Sequence, residues 1–246
     1  MNNQTRQPNY QSLTAFRDPL ADGTYSPEMV VIPIGEYMMG THEFLDTQPH
    51  KVVIRKSFAL GKTPVTQFEW RKIMGSDPPA LVLNGNDEHP VTNVSWDDVQ
   101  EYIHRLSALT TTTFRLPTES EWEYAAKAGE SHRYAGGDDI DAVAWVNKNS
   151  DRRVQPVGKK LANAWGLHDM SGNVYEWVQD TWCSDYIGGK PDTEEAVRMR
   201  ADSGKRTKRG GSAIGAAGLA GCAERIWSPR TSREDFTGFR LARTLE

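Results

Sequence analysis

Cysteine is scarce in this chain of 246 residues, which contains only Cys183 and Cys222. Two cysteines without a Cys-x-x-Cys or Cys/His spacing exclude a disulfide framework and a zinc cluster. An excess of one charge sign is also lacking, because 29 basic and 33 acidic residues leave a formal net charge of −4. This balance provides no basic surface for nucleic acid or an anionic membrane, so we expect neither as a partner.

Long hydrophobic runs and catalytic motifs are absent as well. No apolar run approaches membrane-spanning length, and the N-terminal MNNQTRQPNYQSLTAF does not look like a secretory signal. We therefore expect no membrane span, and surface display only if a leader has been removed. No phosphate-binding loop, no Gly-x-Ser-x-Gly elbow and no pairing of a histidine with a nucleophile is visible, so no catalytic residue is assigned. The one locally basic stretch, KRTKR at residues 205–209, is interpreted as a solvated loop before a strand.

What the chain does have is enough apolar material for a core. Hydrophobic residues make up 37% of the sequence, with eight tryptophans. Residues 1–26 are polar and aperiodic and are predicted to be a flexible arm. Residues 27–246 are predicted to form one domain, which begins with a strand at EMVVIP and continues with a second strand within HKVVIRKSFAL.

Three helices have clear start signals. A Ser or Thr precedes a Glu or Asp by three positions at residues 66, 95 and 118, the spacing of a capping box. The second helix carries Val99, Tyr102, Ile103 and Leu106 on one face, a stripe that packs against a core. After Gly129 short aromatic-rich pieces alternate with Gly, Asn and Asp, which indicates loops and short strands. Together these features predict an α+β fold with much irregular structure.

Several ordered motifs then resemble one family. GLHDMSGNVYEWVQD, FRLPTESEWEYAAKAG, HPVTNVSWDDVQEYIHRLS, RGGS and GFRLART are similar to the formylglycine-generating enzyme, or sulfatase-modifying factor, family. The resemblance covers roughly residues 27–244 and implies a variant of the C-type lectin fold. It does not settle the function, since the family includes copper-dependent oxidases, iron enzymes that join sulfur to histidine derivatives, and binding proteins without catalytic activity.

The resemblance also indicates which catalytic groups to look for. The oxidases carry a pair of cysteines between the GGS and GFR motifs, because copper(I) prefers thiolate ligands. Here the corresponding positions hold residues such as Ile214, Gly215 and Gly218, and Cys222 matches a third, non-catalytic cysteine of the family. The iron enzymes need His-x-x-x-His-x-Glu, which none of the six histidines forms. We therefore expect neither copper nor iron, although an oxidase of this family remains the alternative function.

A calcium ion is the cofactor that the resemblance does suggest. In the DMSGNVYEW segment it implies the carboxylates of Asp169 and Glu176 and the main-chain carbonyls of Gly172 and Val174 as ligands. Calcium takes oxygen ligands, and a glycine lets the chain turn tightly enough to aim successive carbonyls inward. The other interpretation of this segment is a capped Gly-Asn turn in which Glu176 bonds to nearby amides.

The last feature is a chemically plain segment, residues 213–236, between the GGS and GFR motifs. Some proteins of this fold are the variable proteins of diversity-generating retroelements, and the resemblance implies that this chain is one of them. In such proteins a reverse transcriptase rewrites the final coding segment, while a set of frame residues stays constant. Arg225, Arg233, Gly238, Phe239 and Arg240 keep that frame. The predicted ligand-binding residues are Ala213, Ile214, Gly215, Ala216, Leu219, Glu224, Ile226, Trp227, Ser228, Ser232, Glu234, Asp235 and Phe236.

These observations favour a protein that binds a ligand through a variable surface near its C-terminus. Small residues around a large aromatic suit contact with a protein or another macromolecule. The sequence does not identify that ligand. A structural or scaffolding member of the family, in which the same apolar groups only fill the core, is the second alternative.

Overall fold

The strands of this chain, seen in a computed structural model, form two main sheets and a hairpin. The structure describes residues 11–42, 49–79, 86–110, 112–184 and 203–245. The strands are β1 (Ala15–Phe16), β2 (Met29–Ile32), β3 (Gly35–Met39), β4 (His50–Ile54), β5 (Phe58–Gly61), β6 (Phe114–Arg115), β7 (Tyr175–Thr181), β8 (Lys205–Arg209), β9 (Arg225–Pro229), β10 (Thr237–Phe239) and β11 (Ala242–Thr244). The helices are α1 (Gln67–Met74), α2 (Trp96–Leu109), α3 (Glu119–Lys127) and the short α4 (Ile140–Val143).

The first sheet joins the two ends of the chain. Its order within the described residues is β1-β2-β5-β11-β6, and all of its pairings are antiparallel. The C-terminal strand β11 therefore lies between β5 and β6, so it is held on both sides within this sheet. The hairpin of β3 and β4 is a separate two-stranded sheet.

The second sheet carries the segment that the sequence singles out. Its order is β10-β7-β8-β9, with β10 parallel to β7 and the other pairs antiparallel. Both β9 and β10 belong to the C-terminal part of the chain. Residues 213–236 thus leave this sheet after β8, contribute β9 to its edge, and return to it at β10.

All three predicted capping boxes are present. At each start the hydroxyl of Thr66, Ser95 or Thr118 accepts a hydrogen bond from the backbone amide three residues on. The backbone amide of the same Thr or Ser donates to the carboxylate of the acid at that position. Helix α1 ends at Gly75, whose φ of 77° is the left-handed conformation that favours glycine. The predicted apolar stripe of α2 is buried. The mixed fold and the loop-rich second half are therefore confirmed.

The core lies between the helices and the sheets. The ring of Trp70 stacks on Tyr102 at 5.5 Å between centroids, and both meet the edge of Phe239. A second cluster packs Trp122 of α3 against β2, β5 and β7. No helix in the described ranges is long and apolar enough to cross a membrane.

Three details of the sequence interpretation need correction. The described part of the predicted arm, residues 11–26, packs on the domain, because β1 pairs with β2 and Leu20 enters the core. Residues 1–10 lie outside the described residues. HKVVIRKSFAL forms two strands, β4 and β5, that belong to different sheets. KRTKR is strand β8 instead of a loop, and Arg206, Lys208 and Arg209 are buried in it.

Candidate functional site

Residues 213–236, here called the framed segment, are fixed first at Arg225. This guanidinium lies at the start of β9 and donates to both carboxylate oxygens of Glu119, at 2.7 and 3.0 Å. Glu119 also accepts from Arg209 of β8, at 3.2 Å. The side chains of all three are at most 3% exposed. Buried charges of this kind stabilise a fold only when each is paired, so this cluster ties the segment to the start of α3.

Two further arginines fix the end of the framed segment. Arg230 pairs with Asp97 at 3.0 Å, and Arg233 donates to both oxygens of Asp98 at 2.7 and 2.8 Å. Asp98 is also the capping acid of α2, bonded to the backbone amide of Ser95. The loop between β9 and β10 is therefore attached to the N-terminus of α2. The capping-box spacing predicted the start of α2 but not these ion pairs, whose partners lie 133 and 135 residues apart in the chain.

The closing GFR motif has equally restricted surroundings. A Cβ added to Gly238 would lie 2.4 Å from the backbone oxygen of Val91, so no other residue fits without movement. Phe239 is fully buried. Arg240 donates to both oxygens of Glu176, each at 2.7 Å, and both side chains are fully buried. Each predicted frame residue thus has a defined structural partner or packing position.

Between these fixed points the predicted ligand-binding residues differ in exposure. The exposed members are Ile214, Ala216, Leu219, Trp227 and Asp235. The half-buried members are Gly215, Glu224, Ile226, Ser232, Glu234 and Phe236. The buried members are Ala213 and Ser228. Eleven of the thirteen therefore have surface that a ligand can reach.

Ala213 and Ser228 do not offer such a surface. Ala213 is 0% exposed, its amide donates to Asn173, and its carbonyl accepts from the hydroxyl of Ser150. The hydroxyl of Ser228 points inward and donates to Glu234 at 2.6 Å. The family resemblance placed both in the variable set, but the strand alternation of β9 and the tight turn after GGS turn them inward.

The pairing of β9 with β8 divides the rest between two faces. Trp227 lies opposite Thr207, and the ammonium of Lys205 lies over its ring, 3.7 Å from the ring centroid. Ile226 lies opposite Lys208 and so points to the other face. Ile214 and Gly215 lie in the loop that follows β8, where the amide of Asn147 donates to the carbonyl of Gly215, and Leu219 belongs to a short 3-10 helix, Ala217–Ala220. The predicted surface is consequently made of several patches.

Leu219, Ile214 and Trp227 are the large apolar side chains that the framed segment exposes, at 43%, 37% and 40%. Such residues on a pinned loop are the type that forms an anchor in a binding interface. Another part of the framed segment, at Cys222 and Glu224, borders a cavity of about 350 Å³ that is also lined by the basic side chains of Lys127 and Arg133. The framed segment therefore presents both apolar and charged contact surface.

Cys222 lies at the inner wall of this cavity and is 2% exposed. Burial raises the pKa of its thiol to about 12, with the charge of Glu123 acting in the same direction. A thiol with this pKa stays protonated at neutral pH, whereas metal ligation and nucleophilic attack need the thiolate. Cys183, the other cysteine, is also free of a disulfide. Cys222 is thus placed as a structural residue.

The predicted calcium ligands surround a tight turn. Gly172 has φ of 77°, and a Cβ there would lie 2.2 Å from the backbone oxygen of Trp145, so the turn requires glycine. Asp169 is buried and accepts from the amide of Gly158 at 2.7 Å. Glu176 is saturated, because Arg240 takes both oxygens and the indole of Trp122 donates at 2.7 Å.

In this arrangement the four residues do not fit a calcium ion, since Glu176 would have to leave Arg240 first. No cluster of three or more His, Cys, Asp or Glu side chains in the described ranges is placed to hold a metal. The interpretation as a capped Gly-Asn turn is also incomplete, because Glu176 accepts from the side chains of Arg240 and Trp122 and not from nearby amides. Calcium at this turn stays a prediction, which a melting experiment tests.

The sequence did not reveal one feature of this region, the buried ammonium of Lys208. It belongs to the basic KRTKR stretch, yet it is 1% exposed and pairs with Glu234 of the framed segment at 2.5 Å. The only local signal was the alternation of β8, which places Lys208 on the same face as Ile226. Its partner lies 26 residues away and could not be identified from spacing.

Comparisons with known proteins place this geometry in context. A model of the sulfatase-modifying factor enzyme 1-like domain matches residues 16–245. Variable protein 1 of Treponema denticola is 26% identical, with a TM-score of 0.81 over 94% of this chain and 99% of its own. PvdO from Pseudomonas aeruginosa is 29% identical, with a TM-score of 0.82 over 96% and 99%. The formylglycine-generating enzyme of Bos taurus is 32% identical over 73% of this chain, which spans 50% of that enzyme's length.

Proposed function

Because the chain belongs to the sulfatase-modifying factor enzyme 1-like domain family, we propose that it is a member that binds a ligand without catalysing a reaction. It has the C-type-lectin-like fold of that family, shared with its solved neighbours from Treponema and Pseudomonas. The proposed binding surface is the exposed part of the framed segment. Its partner is a protein or another macromolecule.

One observation carries this proposal. Every predicted frame residue is held by an ion pair or a packing position, while eleven of the thirteen predicted ligand-binding residues have exposed surface. Side chains on loops attached to a rigid scaffold change at little cost in folding free energy. The framed segment therefore has the construction that a variable binding surface needs.

The likeness to variable protein 1 of Treponema denticola supports the same proposal, since it extends over 99% of that chain. Exposed Trp227, Leu219 and Ile214 supply the apolar anchors that macromolecular interfaces use. The segment's small residues Gly215, Ala216 and Gly218 leave room around them for a partner's side chains. A macromolecule is therefore the class of ligand that this surface suits best.

The alternative is an oxidase of the formylglycine-generating type, favoured by the sequence identity to the bovine enzyme. The framed segment contains one cysteine, Cys222, and its buried thiol holds a proton at neutral pH. A copper site built on two thiolates has no second sulfur there. We accordingly expect no conversion of a Cys-x-Pro-x-Arg peptide to formylglycine when the chain is supplied with copper and oxygen.

Mass spectrometry of that peptide, with the bovine enzyme as the positive control, tests the alternative. Conversion that depends on copper would establish an oxidase and overturn the binding proposal. Variation of the framed segment is tested separately, by sequencing the 3′ end of the gene in a growing population. A peptide left unchanged together with an invariant gene end would leave either a fixed binding protein or the second alternative, a scaffolding member of the family.

A further inference from the structure

Lys208 is buried under two aromatic rings, where a lone charge is costly. Its ammonium lies 5.3 Å from the ring centroids of both Tyr175 and Trp177, and the residue is 1% exposed. Burial lowers the pKa of Lys208, and the neighbouring Glu234 opposes that change. An ammonium in this position needs an anionic partner, because its own hydration has been removed.

The partner in this chain is the carboxylate of Glu234, which is bound from three sides. It accepts from Lys208 at 2.5 Å, from the hydroxyl of Ser228 at 2.6 Å and from the hydroxyl of Thr237 at 3.1 Å. Lys208 also donates to Thr237 at 3.3 Å, which orients that hydroxyl toward the carboxylate. Although burial opposes ionisation of Glu234, Lys208 and Ser228 outweigh it, so its pKa is lowered.

The three donors come from three different strands of one sheet. Lys208 belongs to β8, Ser228 to β9 and Thr237 to β10, and their positions are set by the pairing of those strands. Glu234 itself lies in the loop between β9 and β10. Lys208 and Thr237 thus belong to the scaffold, whereas Ser228 and the carboxylate of Glu234 both come from the framed segment.

We propose that Lys208, Ser228 and Thr237 form a carboxylate-binding subsite, which this chain fills with its own Glu234. Charge-assisted bonds from one ammonium and two hydroxyls are the chemistry that selects a carboxylate. Position 234 then determines specificity. An acidic residue there closes the subsite, and a small neutral residue leaves the ammonium available to an acidic side chain of a partner protein.

Access to the subsite is through position 234. The side chain of Glu234 is 38% exposed, whereas that of Lys208 is 2% exposed. A shortened residue 234 therefore opens a path from the surface to the ammonium without changing the sheet. The use of this path by an external partner rests on the proposed binding function. The binding of a carboxylate by the subsite is independent of that function.

The experiment is chemical rescue of Glu234→Ala by sodium acetate. Melting temperatures are measured in acetate and in sodium chloride at equal ionic strength, so that only the anion differs. We expect acetate to raise the melting temperature of E234A in a saturable manner, by about 3 °C or more at high concentration. The wild-type chain has its subsite filled and is expected to melt at the same temperature in both salts.

Two matched variants identify the site of any effect. Asp235→Ala removes the exposed neighbouring carboxylate and should show no preference for acetate. In E234A combined with Lys208→Met, the ammonium is gone and the rescue should disappear. Equal melting of E234A in both salts, or an acetate effect that survives loss of Lys208, would overturn the proposal.

Should E234A not fold in chloride, its soluble yield in acetate becomes the readout, and failure in both salts counts against the subsite. Glu234→Ser, which removes the carboxylate with a smaller loss of polarity, provides the second variant for the same comparison. Failure of rescue would leave the proposed binding function untouched. An invariant gene end would remove the variable surface while leaving a rescue result intact.

Discussion

Arg225 and Glu119 form a two-bond ion pair, with Nε–Oε1 at 2.7 Å and Nη2–Oε2 at 3.0 Å, although 106 residues separate them in the chain. The pair joins the edge strand of the second sheet to the first turn of α3. Together with Arg233 on Asp98 and Arg240 on Glu176, it holds a segment of otherwise plain composition at defined points. This separation of fixed and exposed positions is the structural basis of the proposed function.

The frame is expected to be sensitive at Arg240. In Arg240→Met the fully buried carboxylate of Glu176 loses both of its guanidinium bonds, which should cost about 3–5 kcal/mol of unfolding free energy. The melting temperature should fall by roughly 10 °C. Arg105→Met, which breaks an exposed pair with Glu101, is the control and should change stability by less than about 0.5 kcal/mol. Equal losses in the two variants would mean that the buried pair does not hold the frame.

Tolerance within the framed segment should follow exposure and not sequence position. Ala216 is exposed and Ala213 is 0% exposed, so the same change at the two alanines makes a matched test. Ala216→Asp should stay within about 0.5 kcal/mol of the parent, while Ala213→Asp buries a charge and should cost several-fold more or prevent folding. Urea unfolding followed by fluorescence measures both. Tolerance of aspartate at residue 213 would show that the turn after GGS is not fixed.

The thiol of Cys222 should be unreactive in the native chain. With a pKa raised to about 12 and 2% exposure, it offers almost no thiolate to a disulfide reagent at pH 8. We expect a Cys183→Ser variant to release essentially no chromophore from such a reagent until guanidinium unfolds it, and then one equivalent. Rapid reaction of that variant in the folded state would mark Cys222 as an accessible sulfur and would strengthen the oxidase alternative.

Calcium is expected to have little influence on stability. Glu176 already has its charge balanced by Arg240, so a calcium ion would have to break two bonds of 2.7 Å to reach that carboxylate. Melting temperatures in excess calcium and in excess chelator should therefore agree within about 1 °C. A rise of several degrees with calcium, absent in Asp169→Ala, which removes the side-chain oxygens, would show that the ion replaces Arg240 and that the resemblance assigned its ligands correctly.

Local signals predicted much of the fold. The capping boxes at Thr66, Ser95 and Thr118 act within four residues, so the sequence contains all that is needed to place the starts of α1, α2 and α3. The family resemblance supplied the fold, and the family model agrees with it. Neither helix periodicity nor composition would have identified that fold.

The errors arose where distant residues decide the outcome. KRTKR was interpreted as a solvated loop because its charges have no local partners. In the structure Arg209 pairs with Glu119 and Glu123, which lie 90 and 86 residues earlier, and these acids make a buried basic strand possible. The inward orientation of Ser228 likewise depends on the pairing of β9 with β8, which residue spacing does not specify. The family resemblance identified the framed segment but not which of its side chains reach the surface.

The most direct test of the central claim is deep sequencing of the 3′ end of this gene from a growing population, read together with the neighbouring DNA. We expect substitutions concentrated in codons 213–237, most of them at positions exposed in the structure, with codons for Arg225, Arg233 and Arg240 unchanged. We also expect a near-copy of the segment and a reverse transcriptase gene close by. A uniform gene end without such a copy would contradict the variable-surface account and leave a fixed binding or scaffolding protein.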